Sequence, residues 1–255
     1  MSDLRSARLW IAGRIRLPRG DPLLTSRSCL QHTSSELIDQ PIESNYKTRE
    51  RIVEAARQLF FRQGYTATGM LQILKAANVR SGSFYHFFPS KQHVLRAVLE
   101  TYLGLLEPNI LRPAFERADD PLERLFAVLD GYRQLLHATE FQLGCPIGNL
   151  ALELSTSHPG ARPLIAANFD AWSTAITELI DSFADRLPSD VQPAALARHA
   201  QATMEGAIML ARAYRDFAPF DQAIHQLRDY FERLLSDGAK AKPPTVLYDR
   251  ERERQ

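Results

Sequence analysis

From Lys47 to Ser236 the apolar positions follow a helical rhythm and nowhere a sheet-like one. Ile52, Ala56, Leu59 and Phe60 stand at offsets of four, seven and eight, the stripe of an amphipathic helix. Gly64 suits that helix's C-terminus, because glycine accepts the left-handed backbone needed there. Met70, Ile73, Leu74 and Ala77 form a second stripe, with Thr68 as its expected cap and Asn78 as the following turn residue. A short third helix is predicted over 81–88, ended by Pro89, which disfavours helical geometry at the residue before it. Ser90 is the expected cap of a longer helix through Val94, Leu95, Val98 and Leu99 to about Leu106.

Five more helices are expected at Pro121–Glu140, Pro146–Ser155, Pro159–Arg186, Pro193–Phe217 and Phe220–Ser236. Each of the first four opens on proline, which a first helical turn tolerates and an interior does not. No segment alternates Val, Ile, Thr and aromatics with period two, so the fold class is all-α. Residues 1–46 lack a sustained period and carry the turn-forming run Pro18-Arg19-Gly20-Asp21-Pro22. They read as a disordered N-terminal extension, and 237–255 read as a charged, disordered tail. The domain division is therefore 1–46, a head at 47–93, a body at 94–236, and 237–255.

Three short helices with a tight turn before the third suggest a helix-turn-helix, in which the third helix enters the DNA major groove. Phe84 and Phe88 lie one turn apart and can anchor that helix, leaving Arg80, Ser81, Ser83, Tyr85, His86 and Phe87 for the other faces. Phe87 fits a thymine methyl and the core equally well. The formal net charge is +1, which taken whole argues against a nucleic-acid partner. The charge is segregated, however: residues 47–93 carry eight basic side chains against two acidic ones, a net +6, and the body from Val94 onward is acidic. A basic head beside an acidic body is the electrostatic footprint of a DNA reader.

Other classes find little support. No apolar run reaches the roughly 18 residues of a spanning helix, and the first 30 residues lack a signal-peptide apolar core. Cys29 and Cys145 are too few for a disulfide scaffold, so a reducing cytosol is the simplest setting. There is no G-x-S-x-G elbow, P-loop, G-x-G-x-x-G or H-E-x-x-H, and neither the seven histidines nor the cysteines show metal-ligand spacing. A helical enzyme or a protein-binding adaptor without DNA-binding activity is the alternative, and the adaptor leaves the +6 head unexplained. No cofactor is implied.

The run Lys47 to Leu95 resembles the DNA-binding domain of the TetR family of bacterial transcriptional regulators. The resemblance rests on Ile52–Phe61 with Gly64-Tyr65, on Ala76-Ala77-Asn78-Val79, and on Gly82-Ser83-Phe84-Tyr85-His86-Phe87-Phe88 with Ser90-Lys91. It implies an N-terminal helix-turn-helix head and a C-terminal helical domain for ligand binding and dimerisation. It also implies a cytoplasmic, nucleoid-associated protein that binds a palindromic operator in double-stranded DNA. Carried over by position, Thr68 and Lys91 would meet phosphates, Arg80 and Ser81 would stand at the start of the recognition helix, and Ser83, Tyr85, His86 and Phe87 would face bases or backbone. Gly69, Leu71 and Asn78 depart from residues common in the family.

In the body, Leu196, Ala200, Thr203, Ala207, Leu210 and Tyr214 form one stripe, and Ile224, Leu227, Phe231 and Leu234 another. These stripes either build a four-helix homodimer interface, as the resemblance implies, or pack inside one subunit. The same resemblance implies that the middle helices enclose a pocket for a small-molecule effector that releases the DNA. Candidates for its lining are Tyr132, Leu136, Phe141, Cys145, Asn149, Phe169, Trp172, Ile176 and Met204, each with core packing as its other reading. Cys145 precedes a helix start, where a thiolate would gain from the macrodipole and could sense electrophiles; the other reading is a buried, inert thiol.

Overall fold

The structure is a computed structural model and describes residues 36–241, with side chains described from 46 to 238. Among the described residues it is helical, without strands. The head comprises α1 (Glu36–Gln63), α2 (Met70–Ala77) and α3 (Ser81–Phe87). The helix α4 (Lys91–Leu106) leads from the head into the body and is continued by a π-helical turn, Glu107–Leu111, and the single turn α5 (Arg112–Phe115). The body is completed by α6 (Pro121–Ala138), α7 (Pro146–Leu154), α8 (Arg162–Asp181), α9 (Pro193–Tyr214) and α10 (Ala218–Ala241).

Several helix ends follow from local chemistry. Gly64 closes α1 with φ +84°, and Asn78 closes α2 in the left-handed region with φ 52°. Asp120 caps α6 by accepting from the backbone N–H groups of Leu122 and Glu123, worth about 1 kcal/mol. Two boundaries differ from expectation. Helix α1 begins at Glu36, eleven residues before Lys47. The rest of the proposed extension lies outside the described residues.

At the other terminus, α10 continues to Ala241 and so runs past the expected stop. Gly238 is buried against the backbone of Arg186 and Leu187, where a Cβ would come within 2.2 Å of the Arg186 carbonyl oxygen. That close approach docks the last turn onto the α8–α9 connection. The remainder of the proposed tail lies outside the described residues.

One continuous core joins head and body. It runs from Ile52, Phe60, Ile73, Phe84 and Phe88 through Leu95 and Leu99 to Leu129, Trp172, Met204 and Phe231. Phe61 of α1 packs with Leu135 of α6 and Leu143, so the head touches the body directly as well as through α4.

Candidate functional site

The face of α3 is built by burying one ring. Phe84 is fully buried and Phe88 nearly so, which fixes the helix and turns Arg80, Ser81, Ser83, Tyr85 and His86 to solvent. Gly82 adds no bulk and faces open space. These five residues present a guanidinium, two hydroxyls, a phenol and an imidazole along a seven-residue helix, a set able to meet base edges and phosphates. Phe87 is half-buried against the core, with its ring edge-on to His86 at 4.9 Å between centroids. Of its two expected roles, the geometry supports packing.

Thr68 departs from expectation. Its side chain is fully buried; the hydroxyl donates to the Gly64 carbonyl at 2.6 Å and accepts from Gln63 Nε2 at 3.2 Å. The N-cap of α2 is Gly69, whose N–H donates to Gln72 Oε1 at 2.7 Å. The Thr68 hydroxyl is therefore committed to the turn and is not presented to a phosphate. Ser90 holds its cap position but bonds the His93 ring at 2.9 Å instead of a backbone amide.

Lys91 is half-buried and works inward. Its ammonium donates to the Tyr65 and Thr68 carbonyls at 3.0 and 2.9 Å and lies 4.2 Å from the Tyr65 ring centroid. Desolvation pulls its pKa down, partly opposed by the charge of Glu153. An ammonium has three donors, so one remains for an outside partner. Glu153, at the end of α7, accepts from the backbone N–H groups of Tyr65 and Thr66 at 2.9 and 2.5 Å. Lys91 and Glu153 together grip the α1–α2 turn from both sides.

Below the head lies a cavity of about 70 Å³, partly open to solvent and lined by residues from head and body. Tyr132, Cys145, Phe169, Trp172 and Met204 line it as expected. Leu136 and Ile176 are fully buried in the core instead. Phe141 turns away with φ 62° and packs on Phe217 at 4.6 Å between centroids. The Asn149 carbonyl oxygen accepts from Arg212 at 2.7 Å, away from the lining.

Sequence reasoning missed Arg57 and Phe61 of α1, Tyr102 of α4, Ile110 of the π-helical turn, and Glu205 of α9, all of which line the cavity. Arg57 is 5% exposed and makes a two-pronged bond to Glu54 at 2.8 and 2.7 Å. Burial works against its charge, but the bonds and charges of Glu54 and Tyr102 leave its pKa raised. Burial pushes the Tyr102 phenol well up, against the opposing pull of Arg57.

Cys145 caps α7, its Sγ accepting from Gly148 N–H at 3.4 Å. Burial pushes the thiol well up, and the charge of Glu205 and the bond to it push the same way. The backbone N–H groups of Gly148 and Ile147 do not offset this. The geometry therefore favours a buried, protonated thiol over a thiolate.

The apolar stripes divide between subunit core and surface. Leu196, Ala200 and Ala207 of α9 and Leu227 and Phe231 of α10 are buried inside the subunit, while Leu210 is 44% and Tyr214 71% exposed. Met209 of α9 is exposed beside Leu210, and Gly206 one turn before Leu210 faces open space. Tyr230 of α10 is exposed farther along, with its ring against His199 at 5.6 Å between centroids. The expected stripes are thus divided: part packs inside the subunit, and Leu210 and Tyr214 stay on the open face.

Comparison with known proteins agrees with this architecture. Residues 52–98 match the family described as bacterial regulatory proteins of the tetR family. Residues 121–226 match the LmrA/YxaF-like transcriptional regulator C-terminal domain. An uncharacterised helix-turn-helix transcriptional regulator of Mycobacterium tuberculosis is 36% identical over 186 residues, covering 71% of this chain and 92% of the relative. The transcriptional repressor DhaR of a Mycobacterium species is 29% identical over 189 residues, covering 73% and 92%. A crystallised TetR transcriptional regulator from Chloroflexus aurantiacus superposes with a TM-score of 0.62 at 29% identity, covering 75% of this chain and 97% of that one. The chain belongs to the TetR family. It is a DNA-binding transcriptional regulator, not an enzyme.

Proposed function

We propose that the chain acts as a homodimeric repressor in the bacterial cytoplasm, binding a palindromic operator and leaving it when a small molecule fills the cavity. The observation that carries the reading is the exposed polar face of α3, held by buried Phe84 on a head of net charge +6. Arg80, Ser81, Ser83, Tyr85 and His86 are the groups proposed to meet DNA, with Lys91 adding one donor to a phosphate. Two-fold pairing through the open face of α9 and α10 would set two recognition helices roughly 34–36 Å apart, or a multiple of that. No helix among the described residues is long and apolar enough to cross a membrane.

Selection of bound duplexes from a random pool by the purified chain tests this. The expected result is an inverted repeat whose affinity falls steeply with salt. Equal retention of all sequences, or none, would overturn it.

A further inference from the structure

Two polar atoms in the cavity wall have no partner within the protein. Trp172 is 4% exposed and its indole Nε1 donates to nothing; Glu205 Oε1, also buried, accepts from nothing. The Tyr132 hydroxyl lies near the indole without reaching hydrogen-bond geometry. Native proteins leave few such atoms, and each one inside a cavity marks where a ligand atom or a water would bond.

Three other polar side chains of the wall are already engaged. Arg57 is bonded to Glu54, the Asn168 amide donates to the Leu99 and Leu164 carbonyls, and the Gln201 amide donates to the Phe169 carbonyl. Phe61, Tyr102, Ile110, Phe169 and Met204 supply apolar surface.

The other carboxylate oxygen, Oε2, lies over Gly148, where a Cβ would come within 2.3 Å, so the missing side chain makes the room for Glu205 to enter the wall. The Cys145 thiol lies near the same carboxylate.

We infer that the cavity is specific for an uncharged, mostly apolar molecule carrying a hydroxyl and a carbonyl, the hydroxyl bonding Glu205 and the carbonyl accepting from Trp172 Nε1. A ligand carboxylate would meet Glu205 against a largely apolar wall that screens the repulsion poorly. Burial raises the Glu205 pKa, which weakens its pull on a cation. A hydroxyl both donates and accepts, so it satisfies Glu205 in either protonation state. This inference rests on reading the cavity as the effector site.

Calorimetry with the full chain tests it, using a naphthalene with a hydroxyl at one end and an acetyl group at the other. Three companions isolate the groups: its methyl ether, its ethyl analogue lacking the carbonyl, and the analogue with a carboxylate in place of the hydroxyl. The methyl ether and the ethyl analogue should each bind about tenfold more weakly than the parent, the size of one ordinary hydrogen bond, and the carboxylate weakest of all. In Glu205→Ala the gap between hydroxyl and ether should close, and in Trp172→Phe the gap between acetyl and ethyl. Glu205→Gln keeps the volume and should retain part of the hydroxyl preference.

Equal binding of parent and ether, tightest binding of the carboxylate, or no binding by any of the four would overturn the inference. Operator binding by the same preparation is measured separately. Probe discrimination without operator binding would break the regulator reading alone, and operator binding without discrimination would break this one alone.

Discussion

The Glu153 carboxylate, on the last turn of α7, accepts the Tyr65 backbone N–H at 2.9 Å across 88 residues of chain. The same helix begins at Cys145 in the cavity wall, so one nine-residue rod spans from cavity to head. Gly64 is what lets the carboxylate approach: with φ +84°, it has only hydrogen where a Cβ would stand 3.0 Å from Glu153 Oε2. Any shift of α7 along its axis must be felt at the turn that positions α2.

This contact carries its own pH signature. Burial works against the Glu153 charge, but the bonds from Thr66 and Tyr65 and the nearby Lys91 outweigh it and hold the pKa below the usual glutamate value. A depressed carboxyl contributes stability that is present above its unfolded pKa, about 4.3, and lost as pH falls through the folded value. Thermal unfolding from pH 7 to 3 should therefore show the wild type losing more stability below pH ~4.3 than Glu153→Gln, with little difference in slope above it. Parallel curves down to pH 3 would show that the contact adds nothing.

Phe84 and Tyr85 are neighbours with opposite duties. Phe84→Ala empties a fully buried site and should cost about 3–5 kcal/mol in denaturant unfolding. Tyr85 is exposed, so Tyr85→Ala should change stability by less than about 0.5 kcal/mol while weakening operator binding. A Tyr85 variant that melts like the Phe84 variant would contradict this division.

The Cys145 thiol should react slowly. In a Cys29→Ser background it is the remaining cysteine, and its raised pKa leaves little thiolate at neutral pH. Maleimide labelling at pH 7 is expected to be at least ~100-fold slower than for a free thiol and to accelerate only on unfolding. Labelling at the free-thiol rate would place the thiol in contact with solvent and restore the electrophile-sensing reading.

The exposed apolar face of α9 and α10 sets a test of assembly. Met209→Asp puts a charge on the exposed part of α9 that carries Leu210 and Tyr214. Sedimentation should shift from dimer to monomer, with helical content retained because Met209 does not pack inside the subunit. A variant that stays dimeric would move the interface elsewhere.

The helices, the head and its reading face were legible in the chain because each leaves a local mark: stripes at 52–60 and 70–77, turn residues at 64 and 78, a proline at 89. Most of the cavity wall was not. Arg57 and Phe61 belong to a helix whose stripe describes its packing within the head, and nothing local shows that its far side meets the body. Glu205 reads as a surface charge until Gly148, 57 positions earlier, is seen to make room for it. Thr68 misled because threonine before a helix usually caps it, whereas Gln72 reached back and took that role. The dimer stripes misled for a similar reason, since the period identifies the apolar side of a helix without saying whose surface covers it.

The place of Arg57 in the cavity wall has a further consequence. It comes from α1, the first helix of the head, and lies beside Phe61 and opposite residues of α8 and α9. The cavity and the DNA-reading head are therefore not two separate compartments; they share a wall. A molecule large enough to span the cavity would lean on the DNA-reading unit itself, and its size, as much as its chemistry, would set how far that unit is pushed.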